Sequence, residues 1–189
     1  KYVWQGVAIW LRMRLDQGLP VVPISLNVSR VDILACDVAE HMGALAAQYN
    51  LPPELMRIEI TETAYTGESE AVDRLTAELH NRGFSTYMDD FGTGQSTLAM
   101  LKNVNVDVIK LDRTFVPDGK TDERSTQIVS SMLGMAQSLK LPVVVEGIET
   151  NEQATLLRQM GARYAQGFLY YRPMPVADFE ALLDGMEAD

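Results

Sequence analysis

Cysteine, histidine, basic residues and long apolar runs are all scarce in this sequence, and each scarcity narrows what the chain can do. Among 189 residues there is one cysteine, Cys36, and two histidines, His41 and His80. A lone thiol cannot close an internal disulfide, which points to a reducing compartment and a cytoplasmic location. Cys36 falls among apolar helix positions and reads as a buried structural thiol. Both histidines fall in helical patterns away from any motif, so neither is expected to serve as a metal ligand or base. The net charge of −10 argues against binding a nucleic-acid polymer, which needs a basic face to displace counterions. A small phosphate ligand is still allowed, because metal ions can supply positive charge locally. Apolar runs such as 141–145 have strand length, far below the ~20 residues of a membrane span.

What is present fits one globular domain: 47% hydrophobic, 22% charged and 7% aromatic residues. The chain opens on Lys1-Tyr2-Val3-Trp4, with neither a start methionine nor a helix cap. It is therefore expected to begin inside a larger protein, with room upstream for a sensor or an inner-membrane anchor.

Six β-branched runs alternate with helical patterns. The predicted strands are Pro23–Ser29, Met56–Glu62, Ser85–Asp90, Val106–Asp112, Pro142–Glu149 and Tyr164–Phe168. Helices are predicted over Tyr2–Leu15, Val31–Tyr49, Glu70–Arg82, Ser96–Lys102, Glu123–Lys140, Asn151–Met160 and Val176–Met186. Gly18, Gly83 and Gly161 follow helices, where a left-handed cap is expected. Strands alternating with helices imply a parallel sheet with helical crossovers, an α/β fold.

This pattern places Glu59 and Glu62 at the end of the second strand, Asp89 and Asp90 at the third, Asp112 at the fourth, and Glu146 and Glu149 at the fifth. Asn27 ends the first strand and Gln166 lies on the sixth. Chemistry in α/β sheets and barrels sits at the carboxyl ends of strands. So many acids cannot converge and ionise unless cations intervene. Asp, Glu and Asn oxygens form the ligand set of Mg²⁺ or Mn²⁺, and Lys110 could steady a phosphate oxygen. The constellation points to metal-assisted phosphoester chemistry. The plainer alternative is a barrel mouth whose acids form structural salt bridges. The methionine-rich stretch with Met132 and Met135 reads as packing, at the barrel wall or a dimer contact.

These segments resemble the EAL-domain family of bacterial cyclic-di-GMP phosphodiesterases. The matching stretches are Ser25-Leu26-Asn27-Val28-Ser29, Glu59-Ile60-Thr61-Glu62, Asp89-Asp90-Phe91-Gly92-Thr93-Gly94-Gln95-Ser96, Val108-Ile109-Lys110-Leu111-Asp112, Glu146-Gly147-Ile148-Glu149-Thr150, and Gln166-Gly167-Phe168 with Arg172-Pro173-Met174-Pro175. The resemblance implies a TIM-like (β/α)8 barrel, here truncated to about six βα units plus a leading helix. It implies that Asn27, Glu59, Asp89 and Asp90 bind metal, with two Mg²⁺ or Mn²⁺ ions expected. Glu146 would be the general base, Lys110 would hold the attacking water or the departing charge, and Glu149 and Gln166 would complete the polar shell of the catalytic group. Glu62 would brace the loop after strand three, and Asp112 would support the site. The implied reaction opens cyclic-di-GMP to linear pGpG. A fused sensory or diguanylate-cyclase domain and a homodimer are the implied partners.

One departure matters. The family is named for a Glu-Ala-Leu stretch whose glutamate is a further metal ligand, and no such stretch precedes Asn27. Glu180-Ala181-Leu182 falls in the last predicted helix and is expected to be coincidental. The sequence therefore reads, over 1–189, as a phosphodiesterase domain lacking its N-terminal strands, weakly active or inactive alone. Two other functions compete: a cyclic-di-GMP receptor without hydrolysis, and an unrelated enolase-type barrel metalloenzyme.

Overall fold

The computed structural model describes residues 2–67, 69–93, 105–117 and 123–185. Its strands are β1 (Ile24–Val28), β2 (Met56–Thr61), β3 (Ser85–Phe91), β4 (Val108–Leu111), β5 (Val143–Val145) and β6 (Tyr164–Ala165). They form one parallel sheet in chain order, as the alternating pattern requires. Helix α1 (Tyr2–Asp16) precedes β1, while α2 (Arg30–Ala35) and α3 (Val38–Gln48) join β1 to β2. Helices α4 (Glu62–Gly67) and α5 (Ser69–Asn81) join β2 to β3, α6 (Glu123–Ser138) joins β4 to β5, and α7 (Asn151–Gln159) joins β5 to β6. Helix α8 (Val176–Gly185) follows β6. The helix expected over Ser96–Lys102, and the Gly94-Gln95-Ser96 part of its motif, lie outside the described residues.

Four expectations change. The single helix expected over Val31–Tyr49 is two helices, because two N-caps fall close together. The Ser29 hydroxyl accepts from the Asp32 N–H while the Asp32 carboxylate accepts from the Ser29 N–H, and the Asp37 carboxylate accepts from the Glu40 N–H. Cys36 sits at the break as the C-cap of α2, half-buried rather than buried, its thiol directed at the Asp32 carbonyl. Glu62 does not end β2 but begins α4. Strands β5 and β6 are shorter than expected, so Glu146, Glu149 and Gln166 lie on the segments just beyond them.

Alternation along the strands separates two faces. Leu26, Val28, Ile58, Ile60, Met88, Ile109, Leu111 and Val145 are all buried in the hydrophobic core. Met42, Val72, Leu79 and Val129 from the helices belong to the same core. Each such aliphatic residue stabilises the fold by roughly 1.5–3 kcal/mol. The opposite face carries Ser25 and Asn27, Arg57 and Glu59, Tyr87 and Asp89, then Lys110. That face is polar, and it is where the site forms.

Strands β1 and β6 are at opposite ends of the sheet order, yet the helices outside them touch. Trp10 Nε1 donates to Glu180 Oε1 at 2.8 Å, and the Trp10 ring lies 5.9 Å from that of Phe179. Arg14, only 2% exposed, donates to the Pro20 carbonyl and to Asp184 Oδ1. The contact between α1 and α8 requires the sheet to curve into an arc. It also shows Glu180-Ala181-Leu182 as part of a helix-to-helix clasp. Asp184→Ala strands the buried Arg14 charge, whereas Arg14→Met leaves the half-exposed Asp184 to water. Urea unfolding should therefore show a loss of about 3 kcal/mol for Asp184→Ala and a smaller loss for Arg14→Met. No helix among the described residues is long and apolar enough to cross a membrane.

Candidate metal centre

Lys110 stands at the middle of the polar face and is 6% exposed. Its ammonium meets Glu59 Oε2 at 2.9 Å, Asp89 Oδ1 at 2.8 Å and Glu146 Oε1 at 2.8 Å. An ammonium has three protons, and three carboxylates take them. Burial alone would lower the Lys110 pKa, but the bonds from Asp89, Glu146 and Glu59 outweigh it and hold the group well above its ordinary value. Lys110 therefore stays charged, and it gathers acids from β2, β3 and the segment after β5.

Asp89, Asp90 and Glu146 each offer an oxygen within 4.8 Å of the others, a spacing that suits a shared cation. Asp90 reaches this position with a left-handed backbone, φ +56°. Burial, and then the neighbouring charges of Asp89 and Asp112, raise its pKa. Glu146 is raised mainly by burial, with Lys110 opposing and Asp89 and Glu59 adding to the rise. Four carboxylates face one ammonium, so the cluster carries a surplus of negative charge that a divalent cation would neutralise.

Glu59 and Asn27 are directly opposite in the pairing of β1 and β2, and the Trp4 indole N–H holds the Asn27 carbonyl at 3.1 Å. The loop after β3 is fastened by Glu62, 1% exposed, whose Oε2 accepts from the Gly92 N–H at 2.8 Å. Thr93 Oγ1 donates to the Asp90 carbonyl within the same turn. Asp112 accepts from the Thr114 N–H at 2.9 Å and caps a 3-10 turn over Arg113–Phe115. Burial raises the Asp112 pKa, but the Thr114 hydroxyl, then the N–H groups of Thr114 and Arg113, outweigh it and hold the carboxyl below its usual range.

Glu149 and Gln166 are exposed, and Gln166 shares a cavity lining with Glu59 and Lys110. The Glu149 N–H goes to the Gln153 side chain at the start of α7. The Gln166 peptide extends the pairing of β5 and β6, donating to the Val145 carbonyl and accepting from the Ile148 N–H. Gly167 lies so close to the Ile148 backbone that a Cβ there would overlap it. Sequence reasoning overlooked Arg57, whose guanidinium lies 5.5 Å from the Tyr87 ring centre on the same face. Its place two residues before Glu59 was the available signal. Both residues line a cavity of about 380 Å³ beside the cluster, together with Lys110, Tyr164 and Gln166.

The description "EAL domain" matches residues 3–173 of this chain. The cyclic di-GMP phosphodiesterase RocR of Pseudomonas aeruginosa is 38% identical over 175 residues, covering 93% of this chain and 44% of RocR. MucR of the same organism, a bifunctional diguanylate cyclase/cyclic di-GMP phosphodiesterase, is 31% identical and is covered to 24%. The chain thus spans less than half the length of these curated relatives. Among solved structures, the EAL domain of Mycobacterium smegmatis DcpA superposes with a TM-score of 0.87 at 30% identity, covering 96% of this chain and 82% of that one. The MucR phosphodiesterase in its c-di-GMP complex gives 0.85 at 28% identity, covering 94% and 77%. The fold is thus that of TIM-barrel-like EAL domains, and the chain belongs to the EAL domain family.

Proposed function

We propose that the chain carries a divalent-metal site that hydrolyses one phosphodiester of cyclic-di-GMP and leaves linear pGpG. The observation that supports it most is the excess of carboxylates gathered on Lys110 at the strand ends, in a member of the EAL family. Oxygen donors from Asp89 and Asp90, with Asn27 and Glu59 beside them, suit one or two Mg²⁺ or Mn²⁺ ions. Such ions polarise a phosphoryl group and acidify water.

The chain's own residues would divide the remaining work. Glu146 Oε takes the proton of the attacking water as its oxygen bonds to phosphorus. The P–O3′ bond breaks as that bond forms, the released 3′ oxygen takes a proton from solvent water, and the 5′ phosphate that pGpG carries is left. Ions bound beside Glu146 would hold its pKa down, so the attacking water would first have to be acidified. Lys110 orients Glu59, Asp89 and Glu146 with respect to one another. Glu62 and Asp112 hold the flanking turns, while exposed Glu149 and Gln166 face incoming polar groups. A sensory or cyclase domain elsewhere in the protein, a homodimer and a cytoplasmic location belong to the same proposal.

A second reading is a receptor that binds cyclic-di-GMP without cleaving it; the motif residues present in the chain are intact, which favours the enzyme. Incubation with cyclic-di-GMP and Mn²⁺ or Mg²⁺, followed by chromatography, separates the two. The phosphodiesterase yields pGpG. Tight binding with the nucleotide recovered intact would establish the receptor, and neither binding nor turnover would overturn both.

A further inference from the structure

Two of the site's acidic segments, Asp89-Asp90 and Glu146, are followed by a glycine, and both glycines pack against the same short turn. Gly92, two residues after Asp90, has φ +97°, and a Cβ there would lie 2.5 Å from Phe115 Cε2. Gly147, next to Glu146, has φ +73°, and a Cβ there would overlap the Arg113 Cβ and lie 3.2 Å from the Arg113 Cα. Arg113 and Phe115 are the two ends of the 3-10 turn that follows β4. That turn is well braced. Asp112 caps it, the Val116 N–H closes onto the Arg113 carbonyl, and Met132 of α6 brings its Cε within 3.4 Å of the same Gly92 Cβ position.

Lys110 draws Asp89 and Glu146 together, but none of its three bonds reaches Asp90. The position of Asp90 is set through its backbone, hence through the turn at Gly92. A wedge between Gly92 and Gly147 therefore limits how closely the two acidic segments approach, and it does so at the level of the carboxylates.

We propose that the Arg113–Phe115 turn is a spacer that sets the separation between Asp89-Asp90 and Glu146, with Phe115 and Arg113 as positioning residues for the cation site. This rests on the metal reading above. Supporting residues around a metal site commonly change its affinity by about 10–100-fold when removed.

Mn²⁺ affinity, read from the free-ion electron paramagnetic resonance signal, tests the spacer without requiring turnover. Phe115→Ala and Arg113→Gly are each expected to weaken Mn²⁺ binding by about tenfold or more, and Phe115→Leu to recover most of the loss. Arg113 is exposed, so Arg113→Gly removes the contact with Gly147 without opening the core and decides the matter if Phe115→Ala fails to fold. Leu133→Ala, a cavity elsewhere on α6, should lower the melting temperature while leaving Mn²⁺ affinity unchanged. Wild-type affinity in Phe115→Ala and Arg113→Gly, alongside weakened binding in Asp90→Asn, would overturn the spacer alone. Unchanged binding in Asp90→Asn as well would remove the metal centre and the spacer with it.

Discussion

Replacing Lys110 by methionine is expected to destabilise the metal-free chain by about 3–5 kcal/mol and to make its stability depend on divalent cation. The methionine fills much of the same volume, so the loss is electrostatic. Glu59, Asp89 and Glu146 would face one another at the strand ends without the ammonium that now bonds to all three. Glu59 is 6% exposed and cannot recover its hydration without opening the sheet. Part of the penalty would appear as protonation, since burial and mutual repulsion already raise Glu146 and Asp90. A cation bound between the carboxylates would offset the rest. At a Mn²⁺ concentration about a hundredfold above its Kd, the recovery should approach roughly 2.7 kcal/mol. Urea unfolding in EDTA and in Mn²⁺ reads both quantities. A Lys110→Met chain as stable as wild type, with no response to Mn²⁺, would mean that the acids are not held in a charge-deficient cluster.

Glu146→Gln should act on turnover instead. The amide oxygen can still accept from Lys110 Nζ, so stability and cyclic-di-GMP affinity should change little. What disappears is the capacity to take a proton, worth about 10²–10⁴-fold for a positioned general base. Glu146 also belongs to the carboxylate trio, so rates should be compared at saturating Mn²⁺. A rate within a few-fold of wild type under those conditions would assign the proton to another acceptor and leave Glu146 a purely cation-holding role.

The order of strands and the convergence of acids were legible because they depend on local pattern. The runs around Ile58, Met88, Ile109 and Val144 each carry a β signal, and parallel pairing in chain order brings their carboxyl ends together. The break at Cys36-Asp37 was also written in the sequence. Ser29-x-x-Asp32 and Asp37-x-x-Glu40 are two helix starts, hidden by an apolar periodicity that runs through both. Glu62 misled for the opposite reason. The β-branched run Ile58, Ile60, Thr61 continues to Thr63, and the six-residue helix begins inside that run, at Glu62. The threefold bonding of Lys110 was out of reach, because it depends on the register between strands that are distant in sequence. The left-handed turn at Asp90 and the packing of Phe115 on Gly92 are likewise tertiary facts, set by contacts with β4 and α6.

The central claim is that these carboxylates form a divalent-cation site that cleaves a bound cyclic dinucleotide. The direct measurement is a triggered single turnover. The full-length protein is treated with EDTA, loaded with cyclic-di-GMP and given excess Mn²⁺, and the nucleotide is followed by chromatography. Linear pGpG should form only after Mn²⁺ is added, and not at all in Asp89→Asn. Cyclic-di-GMP that stays bound and intact after Mn²⁺ would contradict the claim.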